Sequence, residues 1–340
     1  MALAERKEAG PGHSTVSVVA AFHRPDQALA RRQIETLLNQ ADVRLSLVAV
    51  IDGAETARDG ALMALLKSAG AAIIINDVVQ GPRRAFAEGL RRAIARSPGD
   101  EGLFAYCDQD DAWHPDKLWR SVAYLREQGA ALVHCDARIL DVAGNVIAPS
   151  LHRFEGRQES GDLIATLLLN AVTGMTAVFP ARTARAALSV LDRYNGPLLH
   201  DHVTAAVAAS LGKTAFVNEA LVDYVQHGAN QIGTRRPRPA LRLRALGLGH
   251  LAAYRATSAE IFEERRVIAS ALADEDLLPL DVGAMYLVGQ RSTALAFVKA
   301  YVGEIRKLAR AGQFHRARLA ARMMDAGVSV LRKSRVHEAD

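Results

Sequence analysis

Four short runs near the start of the chain, residues 15–22, 45–51, 71–75 and 102–107, are apolar almost from end to end. A strand covered on one face alternates apolar and polar residues, so runs without alternation belong to strands buried on both faces. Segments with helical spacing lie between them: 27–39, with Leu29, Ile34, Leu37 and Leu38 on one side; 61–69; and 83–96, entered through Gly81-Pro82. Strands and helices in alternation predict an α/β fold, a mostly parallel sheet with helices on both faces. Right-handed crossovers then bring the carboxyl ends of all four strands to one edge.

Beyond a helix at 117–128, a strand at 131–136 runs on through Ile139-Leu140-Asp141 and Gly144-Asn145 into a hairpin, which makes the sheet mixed. The uncharged stretch 163–181 carries Thr166, Asn170, Thr173, Gly174, Thr176 and Pro180, and reads as a buried helix followed by a strand rather than a membrane span. After the breaker-rich Arg235-Arg236-Pro237-Arg238-Pro239 the sequence turns helical and basic. Residues 235–340 hold 19 Lys and Arg against 11 Asp and Glu, a net +8, while the remaining 23 against 26 give −3. The expected organisation is a flexible N-terminus at 1–13, an α/β domain at 14–234 and a basic helical region at 235–340. That region either docks on anionic lipid or forms a helical subdomain with solvated arginines. The net charge of +5 comes without aromatic interleaving or a recognised module, so nucleic acid is not an expected partner. Cys107 and Cys135 lie in apolar runs as buried thiols, and no secretory signal pattern precedes the first strand; the cytoplasm is the expected compartment, possibly at the inner face of the membrane.

The loop after the fourth strand reads Asp108-Gln109-Asp110-Asp111-Ala112-Trp113. Carboxylates this close raise one another's pKa, so a cation is expected among them. Hard oxygen donors suit Mg²⁺ or Mn²⁺, with substrate phosphates completing the shell. Asp111 could instead cap the following helix. The loops 22–26, Asp52-Gly53 and 76–84 fall at the same edge, where open α/β sheets bind ligands. Arg83 and Arg84 could meet phosphate oxygens there, or one of them could be solvated.

These loops in this order resemble the family 2 glycosyltransferases of GT-A fold, most closely the bacterial rhamnosyltransferase-like members, over residues 14–233. The first strand with its polar turn, Ile51-Asp52-Gly53, Asp108-Gln109-Asp110 followed by Trp113 and Pro115-Asp116-Lys117-Leu118, Leu199-His200-Asp201-His202, and Tyr224-Val225-Gln226-His227 carry the resemblance. It implies inverting, metal-dependent transfer of a hexosyl or deoxyhexosyl group. The donor would be a UDP- or dTDP-sugar and the acceptor a hydroxyl of a glycan or lipid-linked molecule, in cell-surface polysaccharide synthesis. It implies Asp110 as principal ligand of Mg²⁺ or Mn²⁺, Asp108 on metal or ribose, and Asp52 accepting from the imide of uracil or thymine. Phe22, Arg24, Arg83, Arg84 and Gln109 complete the donor site, and His227 supplies a nitrogen to the metal or a proton to the diphosphate. Asp201 is the implied general base; Thr173, Gly174, Trp113 and His200 line the sugar pocket, although a tryptophan one residue after such a loop more often anchors its helix by packing. Gln80-Gly81-Pro82 departs from the family's Gly-rich, Asn-containing turn, which leaves open which arginine reaches the phosphates.

Two other classes use part of this chemistry: a nucleotidyltransferase acting on sugar phosphates, and a non-catalytic protein that binds sugar nucleotides. No Gly-rich nucleotidyl-transfer loop follows the first strand, and a base at Asp201 would have no use in a pure binder. Oligomeric state is open.

Overall fold

The computed structural model describes residues 14–157, 161–194, 196, 199–226, 248–286, 294–310, 312 and 314–337. The chain divides into two compact units, one formed by 1–161, 171–192 and 199–237, the other by 162–170, 193–198 and 238–340. The proposed N-terminal segment 1–13, the linker at 234–240 and His227 lie outside the described residues.

The first unit begins β1 (Ser14–Phe22), α1 (Gln27–Leu38), β2 (Val43–Asp52), α2 (Ala54–Ala57), α3 (Gly60–Ser68), β3 (Ala72–Asn76), α4 (Pro82–Arg96) and β4 (Leu103–Cys107). Strands β3, β2, β1 and β4 lie side by side in that order, all parallel. The order is what a right-handed βαβ succession produces. Val16, Val18, Val19, Phe22, Val50, Ile51, Phe104 and Ala105 are all fully buried, which accounts for the missing alternation. Asp26 starts α1 by accepting hydrogen bonds from the Ala28 and Leu29 backbone at 2.9 and 3.0 Å. Gly81, at φ 80°, and Pro82 start α4. Helix α4 lies so close on the sheet that a Cβ at Gly89 would sit 2.3 Å from Val19 Cγ1. Contact that tight fixes the start of α4 over the sheet edge.

The chain continues through β5 (Ala112–Trp113), α5 (Lys117–Gln128), β6 (Leu132–Leu140), β7 (Val146–Ala148), α6 (Leu151–Glu155), α7 (Leu163–Leu168), β8 (Ala177–Pro180), α8 (Ala181–Arg193), α9 (His200–Leu211) and β9 (Thr214–Val225). Strand β8 runs antiparallel between β4 and β6, β6 pairs parallel with β9 and antiparallel with β7, and β5 adds antiparallel to β9. The sheet is mixed there, as the hairpin at β6 and β7 predicts. The uncharged stretch forms α7, a 3₁₀ turn at Gly174–Thr176 and β8, a buried helix then a strand. Among the described residues no helix is long and apolar enough to cross a membrane.

The second unit contains α7 together with α10 (Leu248–Asp274), α11 (Leu280–Tyr286), α12 (Ala294–Arg310) and α13 (Phe314–His337). Its core includes the buried rings of Phe262, Tyr286, Phe297 and Tyr301, with successive centroids 5.0–6.3 Å apart.

Candidate active site

The carboxyl ends of β1, β2, β3 and β4 meet at one edge, and side chains stitch their loops together. The backbone N–H of His23, just past β1, donates to Gln109 Oε1 at 2.8 Å, and Gln109 Nε2 donates back to the His23 carbonyl at 3.3 Å. The His23 ring meets the Asp52 carbonyl at 2.9 Å through Nδ1. Asp52 is buried at the end of β2, and its carboxylate accepts from Gln80 N at 2.8 Å, Gly81 N at 2.9 Å and Asn76 Nδ2 at 3.2 Å. Three donors occupy most of the acceptor capacity of a carboxylate. Asp52 therefore shapes the 76–81 loop and the start of α4, and at most one lone-pair position is left for a nucleobase imide.

Arg24 adopts φ 42°, donates its backbone N–H to Thr56 Oγ1 at 3.1 Å and pairs with Glu55 through two side chains each 66% exposed. A pair that exposed is weak, and an arriving phosphate can displace Glu55. Arg83 is half-buried in the first turn of α4; Arg84 is exposed, its Nη1 3.4 Å from Gln80 Oε1. Phe22 was expected at the donor site, but its side chain is fully buried in the core beneath the edge.

Asp108 and Asp110 are half-buried in the loop after β4. Desolvation, then the charges of Asp110 and Asp201, push the Asp108 carboxyl up to about 7. Among the described residues no three His, Cys, Asp or Glu side chains stand ready as a coordination shell. The donor set nonetheless fits Mg²⁺ or Mn²⁺, since one or two carboxylates suffice where substrate phosphates supply the other oxygens.

Asp111 is not a helix cap. It is fully buried, its Oδ1 accepts the Val225 backbone N–H at 3.4 Å, its Oδ2 has no hydrogen-bond partner, and Asp116 is the residue that precedes α5. Trp113 is likewise not a sugar platform. It is 3% exposed, packed in the main core, with Lys117 Nζ 3.2 Å over its ring. Two-residue strand β5 turns it inward by pairing Trp113 with Val222 of β9. Lys117 is itself completely buried, and burial lowers its pKa to about 8.

Asp201 lies in the first turn of α9, half-buried, accepting from the backbone N–H of His202 at 2.7 Å and of Gly174 at 3.2 Å. Desolvation raises its pKa; those two N–H groups and Arg157 oppose the rise. His200 was expected in the sugar pocket, but it is 4% exposed, stacked on Phe86 at 3.7 Å between centroids and edge-on to Tyr106 at 4.6 Å. Neither ring nitrogen has a hydrogen-bond partner, and burial lowers its pKa to about 3, so it is a neutral packing plate behind Asp201. Gly174 is where the turn passes that plate: a Cβ there would be 3.0 Å from His200 Nε2. Thr173, half-buried, accepts from Arg157 Nη1 at 2.6 Å.

One edge thus holds an acidic loop, an arginine-bearing helix start and a separate half-buried carboxylate whose charge reaches Asp108. Residues 17–181, which include the acidic loop and the 76–84 loop, match the family described as Glycosyl transferase family 2. The segment is a family 2 glycosyltransferase domain. The match ends before α9, so Asp201 and the end of β9 lie beyond it. No curated protein matches the chain. Among solved structures it resembles TarS 1–349 of S. aureus in complex with UDP-GlcNAc, at 13% identity and TM-score 0.47 over 95% of this chain and 92% of that one. It also resembles the mannosyltransferase PcManGT of Pyrobaculum calidifontis in complex with GDP-Man and Mn²⁺, at 14% identity and TM-score 0.47 over 94% and 88%.

Two residues of the site carried no sequence signal or a misread one. Arg157 follows α6 in a stretch without periodicity. Tyr224, half-buried near the end of β9, has its pKa raised by burial and then by the charges of Asp111, Asp108 and Asp110. It sits inside the late motif, three residues before His227.

Proposed function

We propose that this glycosyltransferase moves a hexosyl or deoxyhexosyl group from a UDP- or dTDP-sugar to a hydroxyl of a glycan or lipid-linked acceptor, with inversion, in cell-surface polysaccharide synthesis. The observation that carries the reading is the join between β4 and α9, where Tyr106 Oη and Thr204 Oγ1 share a hydrogen bond of 3.0 Å: it brings a carboxylate suited to proton abstraction, Asp201 of α9, to the edge that bears carboxylates suited to a cation after β4. Asp110 and Asp108 would hold Mg²⁺ or Mn²⁺, which when bound neutralises the leaving diphosphate as a Lewis acid. Arg83, at the start of α4, meets the diphosphate, and the 76–81 loop held by Asp52 receives the base. Asp201 takes the proton of the acceptor hydroxyl as its oxygen attacks the anomeric carbon. The bond from that carbon to the diphosphate oxygen breaks, and its electron pair leaves with the nucleoside diphosphate. A single displacement with a single base inverts the anomeric centre.

Metal-dependent nucleoside diphosphate release from a panel of UDP- and dTDP-sugars tests this. Asp110→Ala is expected to abolish it, and Asp201→Asn to keep nucleotide binding while losing transfer. Full transfer by Asp201→Asn would overturn the base assignment.

In the same reading the enzyme works in the cytoplasm, and the basic helical region brings it to anionic lipid, because α12 exposes Leu295 and Val298 beside Lys299, Arg306, Lys307 and Arg310. Liposome co-sedimentation with and without residues 235–340 checks this; equal pelleting would remove the membrane contact.

A further inference from the structure

Asp201 serves as a base only while its carboxylate keeps one orientation. The Gly174 N–H that fixes Oδ2 opens the 3₁₀ turn Gly174–Thr176, where the Thr176 N–H and hydroxyl donate to the Thr173 carbonyl at 2.9 and 2.7 Å. Arg157 ties down the residues that lead into this turn, 171–173. Arg157 Nη1 donates to the Ala171 carbonyl at 2.8 Å and to Thr173 Oγ1 at 2.6 Å, while Nε donates to Glu155 Oε2 at 2.7 Å. Both members of the Glu155 and Arg157 pair are largely shielded, with side chains 18% and 17% exposed.

Arg157 is itself delivered rigidly. Asp136 of β6 accepts from the Ser150 hydroxyl and, at 3.1 Å, from the His152 backbone, which pins the start of α6. Gly156, at φ 66°, closes α6, and the Arg157 N–H returns to the His152 carbonyl at 2.9 Å. The clamp therefore runs from β6 through α6 to the turn and on to Asp201. A planar guanidinium can engage Glu155 and two turn acceptors in fixed directions, which an ammonium cannot.

We propose that Arg157, held by Glu155, is a positioning residue that aims the Asp201 carboxylate by fixing residues 171–173, which lead into the Gly174 turn. It acts through Gly174 and not on the sugar, and the proposal rests on Asp201 being the base.

The test compares wild type with Arg157→Met, Arg157→Lys, Thr173→Val and Asp201→Asn. The probes are UDP-glucose, UDP-GlcNAc and dTDP-rhamnose with Mn²⁺, water acting as acceptor, and Mn²⁺ with UDP alone in titration calorimetry. Arg157→Met should lower kcat of donor cleavage by roughly 10- to 100-fold while donor KM and UDP affinity hold, since small misplacements near a reacting centre cost that much. Arg157→Lys should recover part of the loss, and Thr173→Val should show a smaller one. Hydrogen exchange at the Gly174 amide reads the clamp without any donor and should be about tenfold or more faster in Arg157→Met, as expected for an opened local structure. Unchanged Gly174 exchange, or a fall in kcat matched by an equal loss of UDP binding, would overturn the proposal. If Arg157→Met does not fold, Thr173→Val carries both readouts. Wild type that cleaves none of the three donors counts against the glycosyl-transfer reading, and the exchange measurement still decides the clamp. Cleavage lost in Asp201→Asn but intact in Arg157→Met counts against Arg157 alone.

Discussion

Tyr106 Oη and Thr204 Oγ1 share a buried hydrogen bond of 3.0 Å that joins the strand leading to Asp108 with the helix that carries Asp201. Around it, His200 of the same helix lies edge-on to Tyr106, so the proposed metal end and base end of the site are joined through buried side chains. Tyr106→Phe removes one partner and leaves the Thr204 hydroxyl buried and unpaired, at a cost of about 1–3 kcal/mol. The expected result is a lowered urea midpoint together with a reduced kcat, with nucleotide affinity nearly unchanged. Affinity falling as much as kcat would mean that the bond serves the donor loop instead.

Asp52→Asn replaces a carboxylate that accepts from two backbone N–H groups with an amide that presents a donor toward one of them. An unsatisfied buried N–H costs about 1–3 kcal/mol. The 76–81 loop should loosen, and UDP affinity should fall more than the melting temperature does. Calorimetric titration with Mn²⁺ and UDP measures it, and undiminished affinity would show that the loop does not form the nucleotide cradle.

Two buried bases give the stability a defined pH dependence. His200 has a folded pKa near 3 against an ordinary 6.5, and Lys117 one near 8 against 10.5. In both, the folded state binds the proton less tightly than the unfolded chain, so the penalty is absent above the ordinary value and grows as pH falls toward the folded one. The slope is about 1.4 kcal/mol per pH unit for each group. Relative to His200→Phe, wild type should lose stability as pH drops from 6.5 toward 3. Relative to Lys117→Met, it should lose stability from 10.5 down to 8 and then stay level. Denaturant midpoints across pH check this; parallel curves for wild type and variant would refute the lowered pKa of that side chain.

Gly174→Ala places a methyl group 3.0 Å from His200 Nε2 and 3.4 Å from Asp201 Cβ. The turn must shift by a few tenths of an ångström, which is expected to reduce transfer while leaving Mn²⁺ and UDP binding intact. Transfer at the wild-type rate would show that the base tolerates such a shift.

Much of this site was visible in the chain itself, for a physical reason. Strands β1, β2 and β4 are buried on both faces, so their composition marked them, and parallel βαβ succession leaves their loops no other place to go; β3, equally apolar, is instead the edge strand, half-buried with Ile75 48% exposed, because position in the sheet and not composition decides how much of a strand is covered. Other residues were less legible where a distant partner sets the outcome. Trp113 faces the core because β5 pairs with β9, more than a hundred residues later. Asp52 spends its carboxylate on backbone groups of a loop some 28 residues away. Arg157 lies in a stretch with no period, and its role is made by a turn it reaches only in the folded state.

The sequence by itself determined the alternation of buried strands and helices, the edge at which the acidic loop emerges, and the gathering of carboxylates that calls for a cation. Those follow from local composition and from the few topologies open to a parallel sheet. Tertiary structure alone decided which carboxylate is buried with one oxygen unpartnered, Asp111, which of them is committed to holding a loop, Asp52, and which is half-buried on a separate helix, Asp201. Solvation and hydrogen-bond partners fix the chemistry of a carboxylate, and both are supplied by residues far away in the chain.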